Sequence, residues 1–201
     1  MMQTTERQKE IVTKAFVLIA SQGIQELTIK NLAKAIRTSE PAIYRHFDSK
    51  AAILSAIVDE IIAVRNAAWH QAVSERRTAK EKLVDFFSRQ ALSFESFPSL
   101  VIILFPDMLF RQDPDLLERI RAMIEETNDH IRELLKAGIE EGSFRKDLDC
   151  DNLSLLLIGG FRMLVSRWRM NGAPGTGAKP LTEQTRQYIQ SSLSLINEHS
   201  D

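Results

Sequence analysis

Glycine is missing from residues 24–137, a stretch that makes up more than half of the 201-residue chain. A glycine-rich phosphate-binding loop is therefore excluded from this stretch. Apolar residues recur instead at intervals of three and four, as in Val12, Phe16 and Ile19, and sustained alternation of apolar and polar residues does not occur. This spacing is typical of amphipathic helices, so the sequence predicts an all-α protein of about nine helices.

Capping residues set the boundaries of these helices. Thr5 forms a capping box with Gln8, and Gly23 ends the first helix. The predicted N-caps of the first four helices are Thr5, Thr28, Ser39 and either Asp48 or Ser49. The predicted helices cover about residues 5–22, 29–35, 39–46, 50–74, 78–96, 100–111, 114–141, 150–171 and 182–198.

The composition narrows the class of protein. Hydrophobic residues make up 44% and charged residues 26% of the chain, which is ordinary for a globular protein. The longest apolar run, residues 100–106, is far shorter than the ~18 residues that a membrane-spanning helix needs. Residues 1–9 are polar, unlike a signal peptide. A lone cysteine, Cys150, fits a reducing compartment, so we expect a cytoplasmic protein with no membrane association.

Charge is divided unevenly along the chain. Residues 1–50 hold eight Lys and Arg against five Asp and Glu, whereas residues 51–201 hold eighteen against twenty-two. A basic segment ahead of an acidic one suggests an anionic partner for the first.

Residues 28–47 have the outline of a helix-turn-helix, because two short predicted helices are joined by three residues and follow a longer helix. In the second short helix Ile43 and Phe47 share one face, and Pro41, Tyr44 and Arg45 point the other way. The outward face can contact DNA, and the N-terminus of this helix suits phosphate. A solvated helix with an exposed aromatic residue has the same pattern, so periodicity alone does not decide.

Particular residues carry a closer resemblance. The segments TIKNLA from Thr28, SEPAIYRHF from Ser39, and SK from Ser49 before an apolar helix closely resemble the DNA-binding head of the TetR family of bacterial repressors. By motif the resemblance covers residues 5–55, and beyond them it rests on the number and lengths of the helices. It implies a helix-turn-helix DNA-binding domain of three helices, residues 1–49. A long fourth helix would join it to a helical-bundle domain for effector binding and dimerisation, residues 50–201.

The resemblance also implies roles for residues in the head. Thr28 matches the second-helix N-cap that touches phosphate, and Tyr44, His46 and Lys50 match positions that contact the DNA backbone. The start of the recognition helix makes base and phosphate contacts in the family. With the outward-facing Arg45 and the turn residue Arg37, the candidate DNA-binding residues are Thr28, Arg37, Ser39, Glu40, Pro41, Ala42, Tyr44, Arg45, His46 and Lys50.

Arg37 departs from the family pattern, because the turn often carries glycine at this position. A left-handed conformation costs a non-glycine residue roughly 1–2 kcal/mol. Either the turn is altered or Arg37 gains a phosphate contact. Base readout is also limited: Pro41 has no donor, Ala42 offers a methyl group to thymine, and Glu40 can accept from cytosine N4.

Aromatic and methionine side chains crowd part of the acidic segment. Many belong in a core, yet they can equally wall an apolar effector pocket, and the family resemblance favours a pocket. The candidate pocket residues are Trp69, Phe86, Phe94, Phe105, Met108, Phe110 and Met163. Polar contacts to the effector can come from His70, His130, Arg162 and Arg167, although each is more often a surface residue.

The last two predicted helices each carry an apolar face, and one of them contains Gly159-Gly160, which permits close approach. They look like the family's four-helix dimer interface, and packing within one chain is the alternative. The candidate interface residues are Leu153, Leu157, Phe161, Leu164, Trp168, Ile189, Leu193 and Ile196.

Sequence signatures of catalysis and metal binding are missing, including Gly-x-Ser-x-Gly and His-Glu-x-x-His. Glu126 and His130, one helical turn apart, fit a surface ion pair better than a metal site. We therefore expect no catalytic residues, metal or cofactor, and instead a homodimeric transcriptional regulator, most simply a repressor. Its partners would be a double-stranded, pseudo-palindromic DNA operator, a second copy of itself and an unknown apolar or amphiphilic effector. A TetR-like protein whose body binds a protein partner is the alternative.

Overall fold

A computed structural model describes residues 5–74, 77–104, 113–171 and 179–197, with the backbone alone described at residues 102–104. These residues form α-helices without a strand, which confirms the all-α prediction. Among them, no helix combines the length and apolarity that crossing a membrane requires. The α-helices are α1 (Glu6–Gln22), α2 (Ile29–Ala35), α3 (Glu40–Tyr44), α4 (Lys50–Val73), α5 (Ala79–Ser96), α6 (Pro114–Glu140), α7 (Cys150–Met170) and α8 (Leu181–Ser194).

One predicted helix differs from the structure. The segment predicted as a helix over residues 100–111 is a 3₁₀ helix in its described part, Pro98–Leu104, and residues 105–111 lie outside the described residues. A second 3₁₀ turn, Ile24–Glu26, connects α1 to α2.

The predicted caps are largely confirmed. Thr5 and Gln8 form a reciprocal capping box at the start of α1, and Gly23 ends that helix with a φ of 90°. The Thr28 hydroxyl accepts from the amide of Asn31 at 3.0 Å. Ser39 occupies the N-cap position of α3, but its hydroxyl makes no capping hydrogen bond.

The long fourth helix is capped by Ser49, whose hydroxyl oxygen accepts from the Ala52 amide at 3.1 Å. Asp113 caps α6 by accepting from the Leu116 amide at 3.2 Å, with Pro114 in the first position as predicted. Both caps satisfy amides that the helix itself leaves without partners.

The chain divides into two compact units. The first comprises Met1–Ala63 and Ile102–Ile120, and the second comprises Val64–Val101 and Arg121–Asp201. Helices α4 and α6 therefore contribute residues to both units. The division between residues 49 and 50 that the family resemblance implies stays a prediction.

The core of the first unit forms between α1 and the short helices that follow it. Phe16, Leu32 and Ile43 from three helices are almost fully buried. A side-chain hydrogen bond adds to this packing, because Gln8 Nε2 donates to the His46 carbonyl at 3.2 Å. The turn that follows α3 is thereby held against α1.

Carboxylates that are distant in sequence accept from the first amides of two helices of the second unit. Pro180 at the start of α8 offers no capping side chain, and Glu95 on α5 instead accepts from the Thr182 amide at 2.9 Å. In the same way, Glu141 accepts from the Ala79 amide at the start of α5 at 3.0 Å. These bonds fix the register between elements that are far apart in sequence.

The two adjacent glycines of α7 have different surroundings. A Cβ on Gly160 would lie 2.1 Å from the Tyr188 hydroxyl, whereas a Cβ on Gly159 would meet nothing within 4 Å. The Tyr188 hydroxyl donates toward the carbonyl oxygens of Leu156 and Leu157, at 3.1 and 3.2 Å. The close approach at Gly160 therefore joins α7 to α8 of the same chain.

This difference predicts opposite effects of one added methyl group. Gly160→Ala should lower the free energy of unfolding by about 1–3 kcal/mol, because the methyl group displaces the Tyr188 ring. Gly159→Ala should raise it by up to about 1 kcal/mol through helix propensity. Urea denaturation at one fixed protein concentration measures both changes. Equal effects of the two substitutions would contradict the packing described for Gly160.

Candidate functional site

The recognition helix α3 is divided between a buried and an exposed face. Ile43 is fully buried and Phe47 nearly so, whereas Pro41, Tyr44 and Arg45 are exposed. This division matches the one predicted from helical spacing. The burial of Ile43 and Phe47 holds a helix of only five residues, Glu40–Tyr44, in place.

The turn between α2 and α3 is a complete Schellman motif. The Arg37 amide donates to the Lys34 carbonyl at 3.2 Å, and the Thr38 amide donates to the Ala33 carbonyl at 2.9 Å. Arg37 has a φ of 54°, in the left-handed region where glycine is favoured. The turn therefore keeps its usual conformation despite the arginine, whose side chain is exposed.

Small side chains order the entry to α2. Asn31 Nδ2 donates to the backbone carbonyl and to the carboxylate of Glu26, at 3.0 and 3.1 Å. The backbone amide of Asn31 donates to the Thr28 hydroxyl. Thr28 itself is exposed at the N-terminus of α2. A helix N-terminus carries partial positive charge and amides suited to phosphate.

The remaining head residues all lie in the first unit with some exposed surface. Ser39 and Glu40 are exposed, while Ala42, His46 and Lys50 are partly buried. Two exposed lysines on α2, Lys30 and Lys34, add positive charge and were not singled out by sequence analysis. The sequence signal that could have identified them was the positive charge on the outer face of a short amphipathic helix.

The predicted effector-pocket residues are only partly brought together. Phe86 and Phe94 are buried, Trp69 is half-buried, and Met163 is exposed on α7. A series of ring contacts connects the three aromatic residues. The Trp69 and Phe86 ring centroids are 5.7 Å apart, and further contacts run through Phe87 and Phe161 to Phe94. Phe105, Met108 and Phe110 lie outside the described residues.

Arg65 is a buried arginine of the second unit, only 5% exposed, that the sequence pattern does not mark as a site residue. Its Nη2 donates to the Met123 carbonyl at 3.2 Å and pairs with the Glu126 carboxylate. The ion pair predicted between Glu126 and His130 is thus replaced by one between Glu126 and Arg65. Its position next to the apolar stripe of α4 was the one sequence signal of burial, but an arginine at such a position is equally typical of the surface.

His130 stacks on Trp69 with ring centroids 4.0 Å apart and the planes 1° from parallel. Burial, and then the positive charge of Arg65, lower the pKa of His130 below its ordinary value of 6.5. The imidazole is therefore neutral at pH 7. No group of three His, Cys, Asp or Glu side chains suited to a metal ion occurs in the described part of the chain.

Most of the predicted dimer-interface residues are buried inside the single chain. They face the core of the second unit, which leaves only Leu153 and Leu164 partly exposed. The apolar surface of α7 lies elsewhere, on Leu155, Leu156, Met163 and Met170. The buried residues are Leu157, Phe161, Trp168, Ile189, Leu193 and Ile196.

A short helix with a buried anchor, an exposed opposite face and a tight turn before it is the arrangement of a helix-turn-helix DNA-binding protein. Two family models match this chain. Residues 11–57 match "Bacterial regulatory proteins, tetR family", and residues 110–180 match "Tetracyclin repressor-like, C-terminal domain". The chain belongs to the TetR family and is a DNA-binding transcriptional regulator.

The relatives of this chain include transcriptional regulators. The HTH-type transcriptional repressor KstR2 of Mycolicibacterium smegmatis is 23% identical over 172 residues, covering 86% of this chain and 83% of the relative. Among solved structures, the ketosteroid transcriptional regulator KstR2 of Mycobacterium tuberculosis aligns with a TM-score of 0.80 and 21% identity, covering 98% of each chain. FadR from Bacillus subtilis in complex with stearoyl-CoA aligns with a TM-score of 0.76 and 22% identity, and the alignment covers 96% of this chain and 100% of FadR.

The left-handed turn residue generates a prediction about stability. Arg37→Gly should raise the free energy of unfolding by about 0.5–1 kcal/mol, because relief of the left-handed strain exceeds the added entropy of the unfolded chain. Arg37→Ala removes the charge but keeps the strain, so it should give no such gain. Urea denaturation of both variants measures the difference. An equal gain from alanine would attribute the effect to charge instead of to backbone conformation.

Proposed function

We propose that this chain is a homodimeric repressor that leaves a pseudo-palindromic operator when a small apolar or amphiphilic effector binds its second unit. The observation that carries the proposal is the anchored helix α3: Ile43 and, in the turn after the helix, Phe47 are buried, while Pro41, Tyr44 and Arg45 are exposed. We place this function in the cytoplasm, with no catalytic step.

The head residues take two kinds of role in this proposal. Thr28, Tyr44, His46 and Lys50 position the protein through phosphate contacts, which carry no sequence information. Glu40 and Ala42, at the start of α3, face base edges in the major groove, together with Ser39 and Pro41. Arg37 and Arg45 add exposed positive charge beside them.

Dimerisation follows from the seam on the outer face of α7. Leu156, Met163 and Met170 are exposed and seven residues apart, with small Gly159 and Ser166 at the intervening positions. This heptad spacing suits a helix that packs against a second helix. Two recognition helices held ~34–36 Å apart by such an interface meet successive major grooves.

The effector assignment is supported by the aromatic interior and by the relatives. The rings from Trp69 to Phe94 make the second unit rich in apolar surface. FadR of Bacillus subtilis was solved with stearoyl-CoA, and the KstR2 of Mycobacterium tuberculosis is described as a ketosteroid regulator. An apolar or amphiphilic effector is consistent with both. Binding would weaken DNA affinity, and DNA would weaken effector affinity by the same factor.

A different protein seated on the seam of α7 is the second candidate, because the same exposed Leu156, Met163 and Met170 would then contact that partner instead of a second copy. The oligomeric state of the purified protein separates these two possibilities. A monomer with an intact fold favours a protein partner, and a dimer favours the repressor.

The phosphate contact assigned to Lys50 predicts a change in salt dependence. Lys50→Ala should weaken binding to every duplex and reduce the slope of log affinity against log salt by about 0.9 per lost contact, hence about two units in a symmetric dimer. Fluorescence anisotropy with a selected operator and a scrambled duplex at several salt concentrations measures this slope. Lys136→Ala, an exposed lysine of the second unit, is the matched control and should change nothing.

Two further variants separate positioning from readout in the same titration. Tyr44→Phe should weaken binding with little change in slope, because the lost hydroxyl is neutral. Glu40→Ala should instead alter preference at one base pair per half-site by ~1–3 kcal/mol if the carboxylate accepts from cytosine. An unchanged affinity and slope for Lys50→Ala would show that the proposed docking geometry is wrong.

The seam predicts where a charge will separate the dimer. Leu156→Glu should give a folded monomer, because residue 156 is 68% exposed within one chain and becomes buried only between copies. Leu92→Glu on α5, at a residue 55% exposed in one chain, is the matched control and should stay dimeric. Light scattering gives the mass, and circular dichroism checks the fold. A dimeric Leu156→Glu would remove this seam from the interface.

A further inference from the structure

Several buried polar atoms of the second unit lack a hydrogen-bond partner, and two of them belong to side chains that lie close together on the neighbouring helices α4 and α6. Arg65 Nε and His130 Nδ1 are both inaccessible to solvent and unpaired. Arg65 contacts Glu126, and Trp69 and His130, each four residues further along the same two helices, contact one another, so the two groups lie about one helical turn apart. An unpaired buried polar atom is costly, and one bound group that supplies an acceptor can satisfy two such atoms that lie close together.

Two contacts between α4 and α6 fix the geometry of this site. Arg65 pairs with Glu126, and one helical turn further along both helices Trp69 stacks on His130. Arg65 Nη2 makes both the ion pair with Glu126 and the hydrogen bond to the Met123 carbonyl, so Nε takes part in neither contact. The stacked indole sets the plane of the imidazole, so the direction of Nδ1 is defined.

The charge of the site indicates what kind of group fits. Arg65 is already neutralised by Glu126, and His130 is neutral at pH 7 because burial lowers its pKa. A carboxylate added here would place a second anion beside Glu126 without a second cation. An uncharged oxygen adds no charge, and a buried guanidinium N–H requires an acceptor because it cannot accept.

We propose that Arg65 and His130 recognise an uncharged carbonyl oxygen of an otherwise apolar effector. The carbonyl has two lone pairs, one for Arg65 Nε–H and one for the His130 Nδ1–H tautomer. Phe86, whose ring lies 5.7 Å from that of Trp69, belongs to the apolar surroundings. This inference rests on the proposed function in one respect: the ligand is the effector of the second unit.

A matched set of probes tests the site directly on the DNA-free protein at pH 7. The probes are 4-phenyl-2-butanone, which carries the carbonyl, butylbenzene, which lacks it, and 4-phenylbutanoate, which replaces it with a carboxylate. The ketone should bind at least about tenfold more tightly than either other probe, the ratio that one hydrogen bond from a charged donor supports. Isothermal titration calorimetry gives the three dissociation constants.

Variants then assign the preference to named atoms. Arg65→Lys keeps the charge and the pairing with Glu126 but has no Nε, and His130→Phe keeps a ring stacked on Trp69 but has no Nδ1. Each should abolish the advantage of the ketone and leave the affinity for butylbenzene unchanged. Unfolding curves confirm that the variants are folded. The matched controls are Arg89→Gln, which removes an arginine paired with Asp85, and His70→Gln, at an exposed histidine.

Three outcomes would overturn the inference: equal binding of ketone and hydrocarbon by the wild type, tighter binding of the carboxylate, or an unchanged ketone preference in both variants. The last result would mean that the unpaired atoms bind water or serve packing alone.

Failure of the proposed function would give a different result. A ketone that binds through Arg65 yet leaves operator affinity unchanged at saturation would sustain this site and contradict effector-controlled repression.

Discussion

The burial of Ile43 and Phe47 beneath α3 is the interaction on which the DNA-facing surface depends. A five-residue helix has too few internal hydrogen bonds to persist alone, since isolated helices below ~12–15 residues are marginal in water. Its orientation therefore comes from packing against the first unit, supported by the hydrogen bond from Gln8 to the His46 carbonyl. Because only one side of α3 packs against the rest of the first unit, the residues on its other side are free to contact DNA. Arg37 shows the same dependence, because a left-handed arginine persists only in a turn that its neighbours hold by two backbone hydrogen bonds.

The second unit is organised by polar groups that reach across the fold. Glu95 caps the start of α8, which has no local cap, and Glu141 adds a distant carboxylate to the local Thr78–Glu81 capping box of α5. Arg65 is a more demanding case, because a buried guanidinium must be both neutralised and hydrogen-bonded. Glu126 and the Met123 carbonyl satisfy part of it. Its Nε is left unsatisfied, and so is Nδ1 of His130, about one helical turn further along; these two atoms form the candidate recognition site.

Helix α7 shows how one amphipathic segment serves two surfaces. Leu157, Phe161 and Trp168 face the core, while Leu156 and Met163 lie on the outer face. A helix that is apolar on both sides has a single broad apolar stripe in sequence, so the sequence does not distinguish its core face from its outer face. The paired glycines divide in the same way: Gly160 receives Tyr188 of the same chain, and Gly159 lies on the open side.

Local chemistry was sufficient for the fold class, most helix ends and the faces of α3. Capping by Thr5, Thr28 and Ser49 acts within one turn, and Ile43 and Phe47 are only four residues apart, so both are visible in sequence. The family resemblance added the identity of the head. Only the tertiary structure decided which face of α7 is buried, that Glu126 pairs with Arg65 instead of His130, and that Trp69 covers the imidazole. Those contacts join residues on different helices, and their free energy depends on distances that no local pattern records.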